Sequence, residues 1–318
     1  MTAAWFDVRV VSRALAARDI LSLVLEAADG GTLPPFDAGA HVDLQLPNGL
    51  VRQYSLCNAP AQPERYQLGI LLEPNGRGGS LSAHQDIREG DTVRISSPRN
   101  LFPLVPAPHA LLLAGGIGIT PILSMAEDLN ARGAPFELHY CVRSPDRAAF
   151  RERLQEAPFA PAVNMHFDDL PETMLLLPEV LAAQPVGTHL YVCGPGGFID
   201  FVTSTACAAG WPGSRIHLER FASEVPAGDR RPFEIEIAGT GQVIAVKADQ
   251  SAATALAAAG VFIPLSCEQG ICGTCAMEVL SGIPDHRDMY LSQDERAAND
   301  CFTPCCSRAH TPRLVVRL

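Results

Sequence analysis

The 318-residue chain has no stretch of about 18 uncharged apolar residues, so a membrane-spanning helix is not expected. Its start, Met-Thr-Ala-Ala-Trp-Phe-Asp-Val-Arg, lacks the basic and then apolar pattern of a secretory leader. Without an export signal, its ten cysteines read as metal ligands and reduced thiols rather than disulfides, and the cytoplasm is the expected compartment. Basic residues are few, 24 Lys and Arg against 35 Asp and Glu, and the net charge of −11 speaks against a nucleic-acid partner. An acidic surface can steer a chain toward a basic protein partner, or serve solubility alone. No internal repeat, low-complexity tract, Ser–His–Asp triad or catalytic carboxylate pair is evident. The nine histidines are scattered, and His139, His189 and His217, which fall in expected strands, read as structural.

What the chain does have is a cysteine pattern near its C-terminus. Cys267-Glu-Gln-Gly-Ile-Cys272-Gly-Thr-Cys275 has the C-x4-C-x2-C spacing of plant-type [2Fe–2S] sites, with a fourth cysteine following at a distance. Three thiolates from one loop can wrap a small cluster, and Gly270 and Gly273 let the backbone turn tightly and aim amides at sulfur. Zinc usually takes two closely spaced pairs, which this spacing fits poorly.

Three segments differ in vocabulary. Residues 1–103 read as short strands of period two, such as His41–Leu46 and Asp91–Ile95, with turns at Pro34-Pro35, Pro47-Asn48-Gly49 and Pro74-Asn75-Gly76. That pattern predicts a small antiparallel barrel. In residues 104–222, Ala110–Ala114 is a continuous apolar run, followed by a helix with Ile122, Met125, Ala126 and Leu129 on one face. Thr120 is expected as its N-cap, Pro121 in its first turn and Gly133 as its stop. Further strands are expected at Phe136–Val142, Val163–Phe167, His189–Cys193 and Arg215–Phe221, which predicts a parallel sheet with helices on both faces. Residues 223–232 are polar and turn-rich, a linker. Residues 233–318 hold a hairpin at Phe233–Ile237 and Val243–Lys247, a short helix capped by Ser251, the cysteine loop and a closing strand at Leu314–Leu318, a compact α+β module.

Two glycine loops end strands of the middle segment. One joins the first strand to its helix as Gly115-Gly116-Ile117-Gly118-Ile119-Thr120-Pro121, and the other reads Cys193-Gly194-Pro195-Gly196-Gly197. Glycines admit a pyrophosphate close to the backbone, and a helix N-terminus supplies free amides. Such loops at strand C-termini mark the ligand crevice of an open α/β sheet, although the G-x-G-x-x-G fingerprint is absent. In the first segment, Arg52-Gln53-Tyr54-Ser55 sets a phosphate-binding cation beside a ring and a hydroxyl. Asn75-Gly76-Arg77-Gly78-Gly79-Ser80 adds amides and a second arginine. Arg143, Ser144 and Arg147, after the second strand of the sheet, either bind a 2′-phosphate or form a solvated loop.

Arg-x-Tyr-Ser in a barrel, Gly-Gly-x-Gly-x-Thr-Pro in an α/β domain and Cys-Gly-Pro near its end resemble the ferredoxin–NADP reductase superfamily. The order barrel, nucleotide domain, C-terminal ferredoxin is similar to the phthalate dioxygenase reductase and vanillate O-demethylase reductase family, over essentially the whole chain. The resemblance implies an FMN-binding barrel, an NAD(H)-binding α/β domain and a β-grasp [2Fe–2S] ferredoxin domain. It carries Arg52, Tyr54 and Ser55 onto the flavin motif and Arg77, Gly78, Gly79 and Ser80 onto the FMN phosphate segment. Thr120 falls where the nucleotide loop meets flavin and nicotinamide; Cys193, Gly194 and Pro195 fall on the nicotinamide side, and Phe221 matches an aromatic position near the flavin. The ending Cys305-Cys306-Ser307-Arg308-Ala309 matches the family's Cys-x-Ser-Arg-Ala, which makes Cys305 the fourth ligand in place of Cys301 or Cys306. NADH is expected over NADPH, because the resembled reductases mostly prefer it. Flavin accepts a hydride and releases electrons singly, which makes the order of domains sensible. The implied activity is that of a reductase serving a separate Rieske-type oxygenase. A docking electron carrier fed by another protein is the alternative, opposed by the intact nucleotide motifs.

Overall fold

The computed structural model describes residues 4–62, 64–221, 231–265 and 267–318. The chain divides into two compact units, Met1–Arg220 and Phe221–Leu318. Most of the expected linker, residues 223–230, lies outside the described residues. No helix among the described residues is long and apolar enough to cross a membrane.

The first unit opens with β1 (Trp5–Ala17), β2 (Ile20–Ala27), β3 (Ala40–Gln45), β4 (Val51–Ser55) and β5 (Tyr66–Leu71), then helix α1 (Gly79–Asp86), β6 (Thr92–Ser96) and β7 (Arg99–Asn100). The main path of this sheet is antiparallel in the order β4-β3-β6-β1-β2-β5, and β7 pairs with β3. A bridge between Leu56 and Leu68 draws the end of β4 toward β5 and curls the sheet into the expected barrel. Alternation does the rest, because Val8, Val10, Leu21, Leu23, Leu25, Leu44, Leu68 and Ile70 all point into one buried core. Helix α1 goes beyond the strand pattern of this segment; it follows the Asn75–Gly78 turn, where Gly78 takes a left-handed φ of 84°.

The same unit continues with β8 (Ala110–Gly115), α2 (Ile119–Ala131), β9 (Phe136–Val142), α3 (Arg151–Glu156), β10 (Val163–Phe167), α4 (Leu177–Ala182), β11 (His189–Cys193), α5 (Gly196–Ala208) and β12 (Ile216–Glu219). The strands are all parallel in the order β10-β9-β8-β11-β12. The chain winds outward from β8 to β10 and then returns to the far side of β8, so the topological switch falls between β8 and β11. Leu111, Leu113, Leu190 and Val192 bury one face under α4 and α5, while α2 covers the other. Thr120 does not cap α2. A short 3-10 turn at Gly116–Gly118 leads straight into the helix, Gly118 is the N-cap, and the Thr120 hydroxyl donates to the Ile117 carbonyl at 3.0 Å. The last strand is also shorter than expected, Ile216–Glu219 in place of Arg215–Phe221.

The second unit holds β13 (Phe233–Ile237), β14 (Val243–Val246), α6 (Ala252–Ala258), β15 (Met277–Ser281), β16 (Pro284–Asp285), α7 (Gln293–Ala298), β17 (Cys301–Phe302), β18 (Arg308–Ala309) and β19 (Arg313–Arg317). Ser251 caps α6 as expected, accepting from the Thr254 N–H. The sheet order is β14-β13-β19-β15-β17, so the C-terminal strand lies at the centre, parallel to β13. Its Leu314 and Val316 are fully buried with Ile235 and Leu256. Arg308 pegs this unit together: it donates to the carbonyls of Arg231, Lys247 and Gln250 and lies over the Phe233 ring. Charge-assisted bonds of this kind contribute about 1.5–3 kcal/mol each.

Candidate functional site

In the first unit the barrel meets the parallel sheet at the C-terminal ends of β8 and β11. Arg52, Tyr54 and Ser55 project from β4. The Arg52 side chain lies against the start of α1, where a Cβ on Gly79 would be only 2.8 Å from its Cγ. That helix start has no side-chain cap, so its amides and the guanidinium together suit an anionic group such as a phosphate. Asn48 holds the turn through the Gly78 carbonyl, and the Ser80 hydroxyl accepts from the Glu73 N–H. Arg77 stands exposed on that turn. Burial pushes the Tyr54 phenol up to about 12 despite the neighbouring Arg52, so the ring stays neutral.

The two glycine loops pack on each other. A Cβ on Gly118 would lie 2.2 Å from the Cys193 carbonyl oxygen, and one on Gly194 would lie 3.0 Å from the Gly115 Cα. Glycine is therefore required at 118 for backbone to meet backbone. Gly116 differs: its φ is 53° and a Cβ there would meet nothing within 4 Å. It borders a cavity of about 560 Å³, together with Gly115, Ile117, Pro195 and Phe198. This volume falls within the roughly 300–1,000 Å³ typical of ligand pockets. Thr120 is buried and its methyl fits against Gly69 of β5, where a Cβ would come within 2.7 Å. Pro121 is buried in the first turn of α2.

Two residues here escaped sequence reasoning. Gly69 interrupts an apolar strand, which is itself a signal for close approach. Glu219 ends β12 beside Cys193, its register partner. Its Oε2 is buried and lacks a hydrogen-bond partner among the described residues. Burial raises this carboxyl to about 8, although a hydrogen bond with Ser55 pulls the other way. Glu219 is therefore protonated at neutral pH. Burial and then Glu219 in turn push the Cys193 thiol well above its usual value.

In the second unit the cysteine loop turns through three left-handed residues, Glu268, Gly270 and Gly273. The amides of Gln269 and Ile271 point at the Cys267 sulfur, at 3.3 and 3.5 Å. No group of three metal-ligating side chains converges on one point among the described residues. The sulfurs meet in contacts that include two pairs, Cys267 with Cys272 and Cys275 with Cys305. Two thiols for each of two irons is the donor set of a [2Fe–2S] cluster, so these residues fit that group. The Cys267 thiol holds Cys272 down to about 5, while Cys305 lowers Cys275. Cys306 also touches Cys305, but packs under the loop, where a Cβ on Gly270 would strike its sulfur at 2.3 Å. The Tyr290 ring covers Gly273 in the same way, 2.2 Å from where a methyl on that glycine would stand. Buried Asp288 pins that segment by accepting from the amides of Tyr290 and Leu291 and from Ser307. Phe221 is the first residue of this unit.

Comparison with known proteins agrees with this geometry. The family of the 2Fe-2S iron-sulfur cluster binding domain matches residues 235–310, and that of the dimethylamine monooxygenase subunit DmmA-like N-terminal domain matches residues 97–216. Vanillate O-demethylase oxidoreductase from Pseudomonas sp. (strain HR199 / DSM 7063) is 53% identical over 315 residues, covering 98% of this chain and 99% of that protein. The chain belongs to this reductase family. Phenoxybenzoate dioxygenase subunit beta from Ectopseudomonas oleovorans is 42% identical, covering 100% of this chain and 98% of that protein. The solved structure of phthalate dioxygenase reductase, a modular protein for electron transfer from pyridine nucleotides to [2Fe–2S], superposes with a TM-score of 0.81. It is 38% identical, over 99% of this chain and 98% of that one. Family membership makes the chain an oxidoreductase.

Proposed function

We propose that the chain is the NADH-dependent reductase component of a two-component Rieske-type oxygenase, passing electrons from NADH by way of FMN and a [2Fe–2S] cluster. The carrying observation is the pair of cysteine pairs inside the stretch matched by the cluster-binding family. Full-length likeness to a vanillate O-demethylase oxidoreductase supports an oxygenase that hydroxylates or O-demethylates an aromatic substrate. FMN held by the barrel residues would supply the exchange between a two-electron hydride and single electrons that joins a nicotinamide to a one-electron cluster.

The chain's own residues bind and orient. Arg52, with Arg77, Gly78, Gly79 and Ser80 at the start of α1, holds the phosphate end of FMN. Tyr54 and Ser55 orient the ring. Gly115, Gly116, Gly118, Thr120 and Pro121 admit the dinucleotide, and Cys193, Gly194 and Pro195 border the nicotinamide. Glu219 keeps a proton on its carboxyl beside Ser55 and Cys193 at neutral pH. Cys267, Cys272, Cys275 and Cys305 bind the cluster, and Phe221 is assigned to the flavin by resemblance alone. Of the domain limits 1–103, 104–222 and 233–318, the first boundary is supported by the gap between β7, ending at Asn100, and β8, starting at Ala110, and the second by the division into units after Arg220. The cytoplasm is the proposed compartment, supported by ten cysteines of which none is joined in a disulfide.

An anaerobic NADH titration followed by visible absorbance and low-temperature EPR tests the reading. Flavin bleaching followed by a rhombic reduced-cluster signal is the expected result. Failure of NADH to bleach the flavin would sink the proposed role, and a kcat/KM more than tenfold higher with NADPH would reverse the choice of nucleotide.

A further inference from the structure

The turn between β1 and β2 belongs to the barrel sheet, yet Arg18 and Asp19 at its tip line the cavity beside Gly116. Arg143 and Arg147, beyond β9 of the parallel sheet, line it too. The two loops are tied together. Arg147 Nη1 stands 3.3 Å from Asp19 Oδ2, Arg18 Nη1 stands 3.5 Å from Asp146 Oδ2, and the Arg18 amide donates to the Asp146 carbonyl at 2.8 Å. Ser144, a hydroxyl available for a 2′-phosphate by sequence, instead donates to the Asp146 carboxylate.

The charged wall of the cavity therefore consists of three basic side chains, Arg18, Arg143 and Arg147, and three acidic ones, Asp19, Glu73 and Asp168. A nucleotide 2′-phosphate adds a charge of about −1.5 to −2, whereas a 2′-hydroxyl adds none. With no net positive charge on the wall to offset it, the phosphate meets nearby carboxylates and two arginines, Arg18 and Arg147, that already share Asp19 Oδ2 at 3.9 and 3.3 Å.

We propose that Asp19, in the turn between β1 and β2, disfavours a nucleotide 2′-phosphate by holding Arg147 in an ion pair in the cavity wall. This rests on the reading of that cavity as the dinucleotide site. Asp19 is a positioning residue, acting through Arg147 rather than on the reacting atoms. Both side chains are partly exposed, so the effect is that of one screened pair, ~3- to 5-fold in relative affinity. It weakens as salt is added.

Calorimetric titration of the full chain with ADP-ribose and with 2′-phospho-ADP-ribose tests this without turnover. Asp19→Asn removes the charge and keeps a residue type that tolerates the observed φ of 63°. The variant is expected to bind 2′-phospho-ADP-ribose ~3- to 5-fold more tightly, with ADP-ribose unchanged. The gain is expected to vanish in Asp19→Asn/Arg147→Ala. An unmoved affinity ratio in Asp19→Asn, with ADP-ribose still bound, overturns the inference alone. A gain that survives loss of Arg147 also overturns it, because the effect would then not run through that arginine. Failure of the wild-type chain to bind ADP-ribose overturns the reading of the cavity and the inference with it.

Discussion

Gly116 of the first glycine loop and Gly273 of the cysteine loop share a left-handed backbone, with φ of 53° and 67°, and differ in what stands over them. Nothing lies within 4 Å of a methyl position on Gly116, while the Tyr290 ring sits on Gly273. The first is open toward a cavity, as a site for an exchanging ligand must be. The second is covered, as suits a resident group kept from water. The cysteines of the two regions diverge likewise. Cys193 is buried beside a protonated Glu219 and stays a thiol, whereas Cys272 is lowered to about 5 by its neighbour Cys267. A low pKa makes a thiolate, the form that ligates metal. One chain thus uses the same residue types for an open site with a buried thiol and a closed one whose paired sulfurs share protons, Cys272 and Cys275 lowered while Cys267 and Cys305 are raised.

The largest effect should come from the cluster side. Cys305→Ser is expected to abolish the iron–sulfur absorbance and EPR signal, while Cys306→Ser retains them. The reverse pattern would move the fourth ligand to Cys306. Next is the contrast between residues of the first glycine loop. Gly118→Ala drives a methyl into the Cys193 carbonyl, at a cost of about 1–3 kcal/mol, with ADP-ribose affinity falling as the loops part. Gly116→Ala meets no atom and costs only the left-handed backbone term, about 1–2 kcal/mol. Urea denaturation of both variants measures the difference, and equal loss of affinity would break the comparison.

On the covered side, Tyr290→Ala is expected to shorten the lifetime of cluster absorbance in air several-fold, while Tyr290→Phe preserves it. Equal lifetimes would mean that the ring merely packs. The last effect, at Glu219, is read from a pH profile. Its folded pKa of about 8 lies above the 4.5 of a solvated glutamate, so the folded state binds the extra proton. The stability this contributes is fully present below about 4.5 and is lost as pH rises through 8. Glu219→Gln should therefore flatten the decline in stability across that window, measured by denaturation at pH 5, 7 and 9. An unaltered pH profile would mean that the carboxyl is already ionised at neutral pH.

Local chemistry carried much of this protein. Period-two alternation located two barrel strands to within a residue, β3 and β6, and Phe136–Val142, Val163–Phe167, His189–Cys193 and Phe233–Ile237 fold over the residues that their apolar patterns predict. Cysteine spacing was legible because a cluster loop is short and its ligands are near neighbours in sequence. Boundaries set by what precedes them were not. Thr120 has the side chain of a cap, but the Gly116–Gly118 turn has already begun the helix. Helix α1 depends on a glycine turn and has little apolar pattern of its own. Contacts between distant segments belong to the tertiary structure alone. The pairing of Glu219 with Ser55 spans 164 positions, and that of Asp19 with Arg147 spans 128. No local pattern encodes such a meeting, because it depends on where two separate sheets come to rest. Sequence therefore determined which groups the chain possesses and the local turns that present them. Folding decided which carboxylates stay neutral, which arginines are engaged and which glycines face open space, since burial and charge depend on neighbours far away along the chain.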